Sequence, residues 1–157
     1  MSCDVAAAAF LMFAAASGPS GASLKPAVAQ PSAVVASQPL FRDIVGRAGK
    51  LKGQVETYRA RVKGAADVVA LPGADAFTAA IGQLSAFDQQ GSDWLKLNGG
   101  DGDLKCIMHG VSQDLMVKLA AMKNAKTAHD EDLALRDMDF LLRDNVEVIT
   151  APPAPAA

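Results

Sequence analysis

Aromatic side chains are scarce in this chain: six Phe, one Tyr and one Trp make up 5% of 157 residues. So thin a supply, beside abundant Ala and Leu, disfavours a β-sandwich and favours packed helices. An excess of charge of either sign is also missing. Fifteen Lys and Arg stand against 17 Asp and Glu, a formal net charge of -2, so nothing in the overall balance draws the chain to nucleic acid or acidic lipid. The two cysteines, Cys3 and Cys106, cannot build a disulfide framework. No P-loop and no dinucleotide fingerprint occurs.

Half the residues are hydrophobic and a fifth are charged, enough apolar material for one ordered domain of ordinary size. The apolar material divides into segments. Residues 5–16, VAAAAFLMFAAA, form an unbroken run that is too short to span a bilayer comfortably but fits the core of a secretory signal. Ala27-Val28-Ala29 is a small-residue cleavage site, although Met1-Ser2-Cys3-Asp4 lacks the Lys or Arg that usually opens such a signal. Residues 1–29 therefore read as a signal peptide or, failing that, a mobile arm. Removal of the signal would leave Cys106 as the one thiol, either free or paired between chains. Residues 30–38 read as a linker, 39–150 as the ordered domain, and 151–157 as a Pro/Ala-rich tail that cannot continue a helix.

Within 39–150 the spacing predicts four long helices. Phe41, Ile44, Ala48, Leu51, Val55, Tyr58, Val62, Ala65 and Val69 alternate steps of three and four, ending at Leu71-Pro72-Gly73. Gly46, Gly49, Gly53 and Gly64 interrupt this helix at up to about 1 kcal/mol each, and they suggest a face that another backbone approaches closely. A second stripe holds Phe77, Ala80, Ile81, Leu84, Phe87, Gly91, Trp94 and Leu95, before the turn cluster Asn98–Gly102. A third, capped by Asp101 or Asp103, carries Leu104, Ile107, Met108, Val111, Leu115, Leu119 and Met122 and ends near Lys126. After a polar connection over Thr127–Asp130, the last carries Leu133, Leu135, Met138, Leu141, Leu142, Val146 and Ile149. Short connections between such helices favour antiparallel neighbours. The expected fold is all-α, an up-down-up-down four-helix bundle.

The first helix is basic: Arg42, Arg47, Lys50, Lys52, Arg59, Arg61 and Lys63 face only Asp43 and Glu56. The last is acidic: Asp130, Glu131, Asp132, Asp137, Asp139, Asp144 and Glu147 outnumber Arg136 and Arg143. In an up-down bundle these two helices are neighbours, so the excesses compensate inside one chain. A basic stripe for a partner is the competing reading.

Chemistry-bearing residues are few. Cys106 and His109, three apart on one helix, share a face and form a weak candidate metal pair, with Asp144 or Glu147 at the same end of the bundle. His129 lies about 30 Å away along the bundle, too far to join them. Haem attachment would need C-x-x-C-H, which is missing, and methionines such as Met108, Met122 and Met138 fall in the apolar stripes. His109, Ser112 and Asp114 point to different helix faces and form no triad. Asn98–Asp103 lacks the oxygen pattern of a calcium loop.

The sequence thus leads to an exported, non-enzymatic interaction or structural module of the cell envelope, periplasmic or secreted rather than cytoplasmic. The partner expected is a protein or a second copy, with no nucleic acid, no transmembrane helix, no membrane association and no cofactor. The alternative is a bundle that binds a small ligand, metal or haem at its Cys106/His109 end.

Overall fold

The computed structural model describes residues 32–62, 67–99 and 102–151. The run 5–16, Cys3, the Ala27–Ala29 site, Lys63 to Ala66, Asp101 and the tail from Pro152 lie outside the described residues. The fold is all-α, and no strand occurs among the described residues. A short helix α1 (Ser32–Ser37) precedes four long ones: α2 (Pro39–Val62), α3 (Ala74–Leu97), α4 (Gly102–Lys123) and α5 (Ala128–Thr150). One 3-10 turn (Val68–Ala70) lies between α2 and α3.

Burial follows heptad-like seams. In α2 every seam position from Phe41 to Val62 is buried. In α5 the seam is Glu131, Leu135, Met138, Leu142, Asn145 and Ile149, again in steps of four and three. Full burial of a large apolar side chain such as Phe41, Phe77 or Leu135 contributes roughly 1.5–3 kcal/mol, which holds helices together whose glycines oppose them.

Specific contacts fix the directions. Phe41 meets Trp94 edge-on at 5.5 Å between ring centroids, and Tyr58 meets Phe77 at 5.0 Å, so the start of α2 lies by the end of α3 and vice versa. The Ser92 hydroxyl donates to the Lys105 carbonyl and the Ser85 hydroxyl to that of Ser112, which sets α4 antiparallel to α3. Lys118 joins Asp137 at 2.9 Å between α4 and α5. Arg59 joins Asp132 at 3.0 Å and Lys52 lies 3.6 Å from Asp139, which closes the ring between α5 and α2. Each long helix packs on its two ring neighbours, the up-down-up-down order that the short connections imply.

Local chemistry explains the ends. Gly73 opens α3 at φ +88° and Gly99 follows its end at φ +67°, left-handed positions that favour glycine. Thr127 caps α5: its hydroxyl oxygen accepts from the Asp130 N–H and its hydrogen goes to the Asp130 carboxylate.

Several boundaries differ from the spacing argument. The stretch read as linker contains α1, because Val35 finds a place in the core beside α5. The first long helix ends by Val62 within the described residues, and Asp67 caps the 3-10 turn by accepting from the Val69 N–H. The tighter turn shifts phase, so Val68 is buried and Val69 exposed. Ile107 also lies at the surface, and Asp103 sits in the first turn of α4, not at a cap. Thr127 replaces the expected long polar connection as a cap. Gly46, Gly49 and Gly53 are exposed, and a Cβ added at any of them would meet nothing within 4 Å. Among the described residues no neighbouring backbone explains them. The close approach is instead at Gly91, whose added Cβ would lie 2.5 Å from the Met108 methyl.

Candidate functional site

The cysteine–histidine end offers little to a metal. Cys106 is half-buried on α4 and disulfide-bonded. Of the states the sequence left open it is not the free thiol, and a disulfide sulfur has no thiolate to give a metal. The His109 ring is engaged at both nitrogens. Nδ1–H donates to the Gln89 Oε1 at 2.8 Å, and Nε2 accepts from the Gln113 amide at 3.1 Å, the tautomer that satisfies both contacts. The expected carboxylates are occupied too: Asp144 and Glu147 both lie against Arg143. His129 is exposed at the start of α5. Among the described residues no group of three or more His, Cys, Asp or Glu is placed to hold a metal.

The charged helices sort their side chains more tellingly. On α2, Arg59 and Lys52 turn to the acids of α5, Arg47 pairs with Asp43 and lies over the Phe87 ring, and Lys52 also reaches Glu56. Asp139 and Glu56 raise the Lys52 pKa, chiefly through the Glu56 hydrogen bond, and so keep that ammonium charged. Asp137 on α5 is held below the ordinary carboxylate range by Lys118 and then Arg136. What remains is a set of three cations. Arg42, Lys50 and Arg61 are exposed and, among the described residues, have no ion pair.

At a helical repeat of 3.6 residues these three cations share one side of α2 with Gly46, Gly49, Gly53, Thr57 and Ala60, all exposed, and with Asp43, which is paired with Arg47. The side is shallow because the glycines carry no side chain. It deepens into a groove of about 300 Å³ where Lys50, Gln54, Tyr58 and Arg61 surround Gly53 and Pro72 forms one wall. Among the described residues no carboxylate lines this groove. Thr57, also at its edge, commits its hydrogen to the Gly53 carbonyl at 2.9 Å. A second cavity of about 270 Å³ lies at the start of α5, where Lys123 and Lys126 face Asp67 and Glu131. Its charges are mixed, and Glu131 is already spent.

The interior holds polar residues that an apolar stripe does not reveal. Asp88 on α3 and Asn145 on α5 are both fully buried, and the Asn145 amide donates to both carboxylate oxygens at 3.0 Å. Burial, only partly offset by that hydrogen bond, pushes the Asp88 carboxyl up to about 7. The Asn145 carbonyl oxygen is buried without a partner. Glu131, 5% exposed, accepts from the Val68 N–H at 3.0 Å and so pins the α2–α3 connection to α5. Burial raises its pKa against the effect of that bond, with Asp67 adding to the rise.

Among the described residues no helix is long and apolar enough to cross a membrane. Comparison with protein-family models, characterised proteins and solved structures finds no match for this chain.

Proposed function

We propose that this chain is an exported, non-catalytic interaction module of the cell envelope, and that the outer side of α2 is its working surface. The apolar run 5–16 followed by Ala27-Val28-Ala29 supports export. The observation that carries the surface assignment is the sorting of cations on α2. Arg59 and Lys52 are spent on α5, whereas Arg42, Lys50 and Arg61 gather, exposed, on the opposite glycine-rich side. Complementing α5 does not account for three exposed cations kept on that side of α2. The alternative of a metal or haem bundle draws no support from His109, whose two ring nitrogens are both engaged.

The test is fractionation of the source cells together with site-directed photo-crosslinking of the full chain. A photoreactive side chain at Gly49 should yield a defined adduct in the envelope or external fraction, and one at Val117 on α4 should not. Recovery of the chain in the cytosol with Met1 intact, or adducts from Val117 alone, would contradict the proposal.

A further inference from the structure

We infer that the groove along α2 binds an extended acidic peptide segment of a partner protein, an inference that rests on α2 being the working surface. The spacing of the cations sets the shape of the ligand. Lys50 and Arg61 are eleven residues apart, about 16 Å along the axis, and Arg42 lies about 12 Å beyond Lys50. Charges spread over that length suit a ligand with several anionic groups better than a single anion. An extended chain advancing about 3.3 Å per residue spans the Lys50–Arg61 interval in about five residues. Carboxylates four to six positions apart on such a segment meet both cations.

The groove between them suits a backbone more than a bulky group. Gly53 forms a floor without a side chain, and Gly49 and Gly46 extend it toward Arg42, so a peptide main chain can lie directly on the helix. Peptide carbonyls need donors, and Gln54 and Tyr58, whose side chains carry them, are among the lining residues. The Thr57 hydroxyl, its hydrogen given to Gly53, is left as an acceptor for a peptide N–H. With no carboxylate in the lining among the described residues, an acidic ligand meets no like charge from them.

Hexaglutamate and a six-nucleotide oligothymidylate, titrated into the full chain at low salt, separate the possibilities by amide shift changes and dissociation constant. Hexaglutamate should move the amides of Gly49, Gly53, Gln54 and Arg61, and bind at least several-fold more tightly than the oligonucleotide. The Lys50→Gln, Arg61→Gln double variant should weaken it by about tenfold. Gly53→Leu keeps every charge and adds its Cβ in open space, so it should fold as the parent does, checked by its circular dichroism melt, yet weaken binding several-fold. Lys123→Gln, at the other cavity, should leave it unchanged.

Shifts confined to other faces, equal affinity for the oligonucleotide, or a Gly53→Leu variant that binds as the parent does would each overturn the inference. Those failures, with Gly49 crosslinks intact in the envelope fraction, would leave the surface assignment standing and remove only the acidic peptide.

Discussion

The rim between α2 and α5 and the interior where α3 meets α4 and α5 use polar groups in opposite ways. At the rim, long charged side chains meet half in water: Arg59 with Asp132, Lys52 with Asp139. Such pairs are individually weak, and their value is to make one neighbour and one register better than the others. In the interior, short polar groups are taken out of water entirely, and each needs a matched partner. Ser85 and Ser92 find backbone carbonyls of α4, whereas Asp88 and Asn145 find each other with one oxygen left over. The rim therefore sets which helices are neighbours, and the interior sets how sensitively the bundle responds to its surroundings.

The largest effect expected from this contrast is on pH. The folded chain keeps the Asp88 proton up to about 7, while the unfolded chain releases it near 3.8. The folded state thus binds more protons between those values. Stability is highest below them and falls as pH rises through the interval, by about 4 kcal/mol from this group. Asp88→Asn, neutral throughout and of nearly the same shape, should remove that slope. In urea unfolding it should resemble the parent near pH 4 and exceed it clearly at pH 8. A parent and variant with parallel pH profiles would show that Asp88 does not titrate in the core.

A smaller effect belongs to the buried hydroxyls. Ser85→Ala loses the bond to the Ser112 carbonyl and should cost about 1 kcal/mol in the same measurement, at high and low salt alike. At the rim, Arg59→Ala should cost less, about 0.5 kcal/mol, and that loss should shrink as salt is added. Equal salt dependence of the two variants would erase the distinction between rim and interior.

Much of the fold was legible in the sequence because the seams repeat. The α2 stripe from Phe41 to Val62 and the opposite charges of the first and last helices were both plain, and their adjacency follows from chain order. What was not legible came from counting apolar residues instead of phase. Ile81, Ser85, Asp88, Ser92 and Leu95 fall in steps of four and three, as do Glu131, Leu135, Met138, Leu142, Asn145 and Ile149. Phase alone would have placed Asp88, Asn145 and Glu131 inside, and Leu133, Leu141 and Val146 at the half-exposed flanks where they lie.

The surface on α2 was half legible. Its cations were evident, but which of them α5 consumes depends on side-chain reach across a formed interface. Cys106 and His109 do share a turn of α4 as their spacing implied. Of the two glutamines that engage the His109 ring, Gln113 stands one turn on in the same helix, and Gln89 comes from α3, which spacing along α4 does not reveal.

The adjacency of α2 and α5 within one protomer underlies both the charge sorting and the surface it leaves. Zero-length carbodiimide crosslinking of the dilute chain, read by peptide mass spectrometry, tests it most directly. The structure predicts an intrachain amide between Lys52 and Asp139, alongside one between Lys118 and Asp137. Lys52 joined to Asp139 only between two chains, or not at all while Lys118–Asp137 forms, would contradict it.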